Sequence, residues 1–420
     1  MKILILNDYA FVEGGAGKVA IESAIGLTEK GNEVIFFSAV GPVCDALEKS
    51  KIKKIICLEQ KDILSSENKV SAALSGIKNK NALRNLRKLF SEWRPDIVHA
   101  HGISKALPWA VISYIFKEKI PIVYTLHDFG LICPNIKLYD FKNKKQCGLY
   151  KSNTYFKCLL TNCDKRSYSQ KLWRWIRFFY TRNVLKVRNK ISGYIAVSVF
   201  VSDFFKNHLT AESRIQVIYN PVEPNNENNF VKKDTAKFRE NNITTFLFAG
   251  RLSAEKGIEL LLEAIKEVDA KLTILGEGEL YNHCLAVSKN LGKNRVEVLK
   301  WQDDKEKIRL IQESDAIILP SLVMETAGIA LFEAKKYGTA AIVSNHGAFK
   351  EFVKDNEDGI FFEAGSKDSL VSAMQKIIND PGLAISMGKN AQINFSSYKG
   401  SIKEYTKNLI KFYLEVIDSR

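Results

Sequence analysis

Short apolar runs alternate along the chain with longer segments of helical character. The runs at 2–7, 34–37, 97–100, 122–126, 195–197 and 216–218 predict strands in the first half. Runs at 245–249, 271–275, 296–299, 316–319, 341–343 and 360–362 predict six more in the second. Strand–helix alternation of this kind argues for parallel sheets with helices on both faces. The polar stretch 224–229 buries little and reads as a linker. The expected organisation is therefore α/β, with doubly wound domains at 1–220 and 221–398. In the last segment, 399–420, Ile402, Tyr405, Leu409, Phe412 and Tyr413 recur at three- and four-residue steps, which predicts a helix over 401–417. The apolar run at the start is too short for a signal peptide and reads as a buried strand. No uninterrupted apolar stretch is long enough to span a bilayer.

Composition narrows the class. At 420 residues the chain has room for two cores, and 46% hydrophobic with 26% charged residues places it among soluble globular proteins. Its net charge is +15, from 62 Lys and Arg against 47 Asp and Glu. No DNA or RNA recognition motif accompanies that charge, so a basic nucleic-acid-binding protein is a poor fit and no nucleic-acid partner is expected. The segment 165–190 holds nine Lys or Arg, no acid, and interleaved aromatics. It suits an anionic membrane surface, or equally a solvated helix with its aromatics packed inward. Seven cysteines without a secretory signal indicate a reducing, cytoplasmic setting. Cys133, Cys147, Cys158 and Cys163 cluster without the C-x2-C spacing of a zinc knuckle. A structural metal on these four and ordinary reduced thiols both stay open.

The chemistry concentrates in two stretches. Glu325 and Glu333 stand eight residues apart in Glu325-Thr326-Ala327-Gly328-Ile329-Ala330-Leu331-Phe332-Glu333, which reads as a loop carboxylate, a small-residue helix start and a second carboxylate on the helix. Helix N-terminal amides attract anions, and flanking carboxylates accept hydrogen bonds from sugar hydroxyls. That pairing suits a nucleotide sugar. Upstream, Gly250-Arg251-Leu252-Ser253-Ala254-Glu255-Lys256-Gly257 joins a strand-like run to a helix-like one. Arg251 and Lys256 are two fixed cations that can stabilise a departing nucleoside diphosphate, and no D-x-D pair occurs in the chain. Gly14-Gly15-Ala16 after the first strand permits close approach of a phosphate to the backbone. It is not a dinucleotide fingerprint, because G-x-G-x-x-G and its downstream acid are absent.

These motifs resemble the E-x7-E and G-R-L-x-x-E-K-G segments of family-4 retaining glycosyltransferases, and the Gly-rich loop resembles that family's G-G-A loop. The resemblance covers nearly the whole chain and implies the GT-B fold: two Rossmann-like domains facing a central cleft, with the C-terminal helix returning to the first. It implies that a sugar moves from a nucleotide-diphosphate-sugar donor to a glycan or lipid-linked acceptor, with retention at the anomeric carbon. No cofactor and no metal are implied. By the same resemblance Gly15, Arg251, Lys256, Ala327, Gly328, Ile329 and Glu333 hold the donor, Glu333 at the ribose. Glu325 meets the transferred sugar and His127 lies near the reaction centre. His101, Ser198 and Asn220 match further positions lining the cleft. Ala327 replaces the aromatic of the usual E-G-F-G-L, which leaves the sugar open. Trp301 reads either as a neighbour of the base or as a buried core residue. A nucleotide-sugar epimerase of similar architecture is the rival enzyme. The expected location is cytoplasmic, with peripheral attachment to the inner face of the plasma membrane if segment 165–190 docks there.

Overall fold

The computed structural model describes residues 1–60, 76–77, 79–103, 106–151, 155–223 and 243–419. The expected linker at 224–229 lies outside them. Two compact units are present: Met1–Pro221 together with Ile402–Arg420, and Val222–Ser401.

The first unit is built on β1 (Lys2–Tyr9), β2 (Glu33–Val40), β3 (Lys54–Cys57), β4 (Ile97–Ala100), β5 (Ile122–Leu126), the hairpin β6–β7 (Tyr139–Asp140, Lys145–Gln146), β8 (Gly193–Ala196) and β9 (Ile215–Val217). Seven of these form one sheet in the order β3-β2-β1-β4-β5-β8-β9. Every pairing in it is parallel. Seven of the eight residues of β1 are buried, which is the continuous apolar pattern of a strand covered on both faces. Two features go beyond the sequence expectation. The edge strand β3 is only four residues long and half-buried, and β6–β7 is a two-residue ladder inside a loop.

The second unit carries β10 (Thr244–Ala249), β11 (Ala270–Leu275), β12 (Val296–Leu299), β13 (Ala316–Leu319), β14 (Ala340–Ser344) and β15 (Ile360–Phe362), in the order β12-β11-β10-β13-β14-β15. Alternation along β10 feeds two separate cores. Phe246 and Phe248 enter one apolar cluster, Leu247 and Ala249 the other. Both units are thus doubly wound, and each sheet has a switch point, between β1 and β4 and between β10 and β13. Ligands in such sheets bind outside the carboxyl ends of the strands at that point.

The C-terminal helix Ile402–Asp418 belongs to the first unit. Tyr405, Leu409, Phe412, Tyr413 and Val416 are its buried stripe. Gly193 at the start of β8 is the seat for this helix, since a Cβ there would lie 2.8 Å from the Phe412 ring. Two tyrosines anchor it by hydrogen bonds: Tyr405 Oη to Ser23 Oγ at 2.7 Å and Tyr413 Oη to His99 Nδ1 at 2.6 Å. Tyr413→Phe leaves a fully buried ring nitrogen without its partner and is expected to cost about 1–3 kcal/mol. Chemical denaturation checks this, and an unchanged midpoint refutes it.

Candidate active site

In the second unit the motif residues gather at the carboxyl edge on either side of the β10/β13 switch point. After β10 the chain runs through Arg251 into a short turn, Ala254–Lys256, that ends at Gly257. Only glycine serves there: φ is +71°, and a Cβ would sit 1.8 Å from the carbonyl oxygen of Pro320, just after β13. This close approach brings the two loops together, and Leu322 N donates to Glu255 O at 2.9 Å. Lys256 Nζ then reaches Glu325 Oε1 at 2.6 Å, and Ser321 Oγ donates to the same oxygen. The Lys256 side chain keeps a third of its surface in solvent.

Helix Ile329–Lys336 starts from Gly328, whose φ of +91° turns the chain into the first helical turn. A side chain there would strike Phe349, 2.7 Å from an ideal Cβ. The first intrahelical bond from this start is Leu331 N to Gly328 O, so the Ile329 and Ala330 amides precede the ladder at the positive end of the helix. Ala327 itself is buried. On the next turn Glu333 Oε1 accepts from Lys307 Nζ at 2.9 Å, and Lys307 also meets Asp304 at 3.0 Å. Burial opposes the Lys307 charge, but Glu333 and Asp304 outweigh it and raise its pKa above the ordinary lysine value. His346 Nε2 lies 2.8 Å from Ser321 O, and burial lowers its pKa. Trp301 is half-exposed, which removes the buried-core reading for it.

In the first unit Gly15 opens helix Gly15–Glu29 at the end of β1 and is exposed. His101 follows β4 and His127 follows β5, on neighbouring strands. Their rings meet through His101 Nδ1 and His127 Nε2 at 3.0 Å. His99, inside β4, sits between Thr125 Oγ1 at 2.7 Å and Tyr413 Oη at 2.6 Å. Burial pushes His99 and His127 down to about 3, His99 further through the charge of His127. Burial also holds His101 well below the usual value. All three are therefore neutral at pH 7. Ser198 caps the helix Val199–Lys206, its Oγ accepting from Val201 N at 3.2 Å, and Asn220 is buried.

Two sequence-profile matches tile the chain. Residues 230–393 match the family described as Glycosyl transferases group 1, and residues 13–226, half of the chain, match Glycosyltransferase Family 4. The chain belongs to glycosyltransferase family 4. An uncharacterized glycosyltransferase of Methanocaldococcus jannaschii is 28% identical over 50% of this chain, a match that spans 56% of that relative. The UDP-Gal:alpha-D-GlcNAc-diphosphoundecaprenol alpha-1,3-galactosyltransferase of Escherichia coli is 25% identical over 76% of this chain and 75% of its own length. Among solved structures, Anabaena HepE in complex with UDP-glucose superposes with a TM-score of 0.70 at 19% identity, covering 99% of this chain and 100% of that one. That likeness places this family-4 glycosyltransferase in the GT-B fold.

The structure adds the partners that the sequence did not show and bears on two readings that it left open. Lys307 and Ser321, which hold the two motif carboxylates, belong to no motif; Lys307 stands 26 positions from the residue it pairs with. Segment 165–190 contains the helix Tyr168–Phe179, which buries Phe178 as a solvated helix would but departs from that reading on its other faces. Lys171 is fully buried, while Leu172, Ile176 and Phe179 are exposed. The four clustered cysteines are free thiols. Among the described residues no group of three His, Cys, Asp or Glu is arranged to hold a metal ion. Cys133, Cys147 and Cys158 instead line a cavity of about 290 Å³ with Phe178, Arg182 and Arg188.

Proposed function

We propose that this chain transfers a hexosyl unit from a nucleotide-diphosphate sugar to a lipid-linked glycan, with retention of anomeric configuration and without a divalent metal. The observation that carries the reading is the second sheet's carboxyl edge. There Lys256, the open first-turn amides after Gly328, and two carboxylates held by Ser321 and Lys307 stand together. Arg251, Lys256 and the helix end take the charge of the departing diphosphate. Glu333, fixed by Lys307, accepts from the ribose hydroxyls, and Glu325 accepts from the transferred sugar. Donor contacts extend to Gly15, Ala327 and Ile329. Neutral His127 offers a ring nitrogen to a sugar hydroxyl. The acceptor hydroxyl attacks from the face the diphosphate leaves, and the protein contributes positioning and electrostatics. The E. coli relative, which by name uses UDP-Gal and a diphosphoundecaprenol-linked acceptor, and the UDP-glucose complex of HepE support UDP-hexoses as the first donors to try.

The test is transfer from UDP-hexoses to a diphosphate-lipid saccharide in excess chelator, with the product anomer read by NMR. An inverted product, or activity restored only by magnesium or manganese, overturns the corresponding part. Donor epimerised without acceptor supports the epimerase instead. Glu333→Gln is expected to weaken UDP binding by about ten- to a hundredfold, because a charge-assisted hydrogen bond becomes a neutral one. Glu325→Gln is expected to spare UDP binding, since it releases Lys256, and to lose turnover. Equal loss of UDP affinity in both variants refutes this division of roles.

A further inference from the structure

Residues 129–202 hold fifteen Lys or Arg and two acids, so thirteen of the chain's net fifteen positive charges come from this one segment. Both acids, Asp140 and Asp164, are buried. Within it, helix Tyr168–Phe179 spends its cations inward. Lys171 Nζ donates to Cys158 O at 2.7 Å, Arg174 pairs with Asp164 at 3.3 Å, and Arg177 lies over the Trp173 ring at 4.6 Å. The outward stripe is apolar: Leu172, Ile176 and Phe179, at steps of four and three, are 39–46% exposed. The short helix Tyr155–Leu160 adds Phe156 and Leu160, each 77% exposed. Tyr168 Oη donates to Leu159 O at 3.0 Å and ties the two helices together. Exposed Lys157, Arg166 and Lys186 belong to the same segment.

We propose that this face docks on an anionic lipid bilayer, with the apolar stripe entering the interface and the cations holding lipid phosphates. A large exposed apolar patch marks an interaction surface, and this one lies in a strongly basic segment. A second copy of the chain brings the same excess of positive charge to the contact and is repelled. A nucleic acid satisfies the cations but leaves the apolar stripe in water. The helices have 6 and 12 residues, too short to cross a bilayer, so they lie in its plane. The inference deepens the lipid-linked acceptor reading, since docking through the first unit brings this unit to the surface that carries such an acceptor.

The experiment is sedimentation of the full chain with vesicles of phosphatidylglycerol and phosphatidylcholine, and of phosphatidylcholine alone, at low and high salt. Two triple variants accompany it: Leu172→Ser with Ile176→Ser and Phe179→Ser, and Lys157→Glu with Arg166→Glu and Lys186→Glu. All six positions are exposed, and UDP-induced thermal stabilisation verifies the fold and reads the donor site independently of lipid. The wild-type chain is expected to pellet with anionic vesicles at low salt and to be released by high salt. Each triple variant is expected to bind at least about tenfold more weakly, given about fivefold per cation at such a surface. The emission of Trp175, which stacks on Phe179 at 5.2 Å, should shift to the blue, and Trp175→Phe should remove the shift. Absence of binding to anionic vesicles at low salt overturns the proposal. So does equal binding to phosphatidylcholine alone, or wild-type binding by the serine variant. Self-association abolished by the serine variant, without vesicle binding, assigns the face to a second copy and also overturns it. Loss of UDP stabilisation in the wild-type chain counts against the proposed function and leaves the vesicle result standing.

Discussion

Lys256→Ala is expected to lower kcat/KM by about a hundredfold to a thousandfold while the second unit stays folded. A preorganised donor aimed at developing charge is worth about 3–4 kcal/mol when removed. Lys256 is held for that role from both sides. Gly257 fixes the turn that carries it, and the carboxylate of Glu325 fixes its ammonium at 2.6 Å. The pair is partly open to solvent, so its own contribution to stability is at most about 1 kcal/mol. Activity and stability should therefore separate. A purely structural role, in which Lys256 does no more than orient Glu325, makes a different prediction. The double variant with Glu325→Gln would then be no worse than either single one. Near-normal turnover of Lys256→Ala, with circular dichroism unchanged, sinks the assignment.

The fold was open to sequence reading because both sheets are parallel and covered on both faces. Their strands appear as unbroken apolar runs, as in Ile3-Leu4-Ile5-Leu6 and Phe246-Leu247-Phe248-Ala249. Edge strand β3 has no such signal, since Lys54-Ile55-Ile56-Cys57 is half-buried and its place depends on pairing with β2. The loops after β10 and β13 carry their chemistry in local order, so Arg251, Lys256, Glu325 and Glu333 could be picked out as candidates. Their partners could not. Lys256 and Glu325 are 69 residues apart, and they meet because Gly257 packs against Pro320 and Leu322 N bonds Glu255 O. Helix Tyr168–Phe179 shows the same limit in another form. Periodicity defines an apolar face and a basic face, but not which one points inward. That is decided by Asp164 and the Cys158 carbonyl, which supply buried acceptors for the cations.

Lowering the pH from 6.5 to 5 is expected to destabilise the first unit steeply, through His99 inside β4 and His101 and His127 just after β4 and β5. In the unfolded chain each titrates near 6.5. In the folded unit burial holds His99 and His127 at about 3 and His101 well below its usual value. The sign follows from proton counting. Below pH 6.5 the unfolded chain binds protons that the folded unit refuses, so unfolding becomes more favourable as pH falls, until the folded groups themselves titrate. At pH 5 the effect is on the order of 2 kcal/mol for each fully buried histidine, and less for His127, which is partly exposed. Most carboxylates titrate below this window, so the slope between 6.5 and 5 belongs mainly to histidine. His99 carries the sharpest consequence. Its ring joins Thr125 on β5 to Tyr413 on the C-terminal helix, so the cost of burying its charge falls at the contact that holds that helix to the sheet. The check is the unfolding midpoint followed from pH 7 to 5 in the wild-type chain and in His99→Gln. Glutamine keeps hydrogen-bonding capacity and cannot titrate, so its slope should be shallower by about one buried histidine. Equal slopes in the two proteins refute the assignment of acid sensitivity to this cluster.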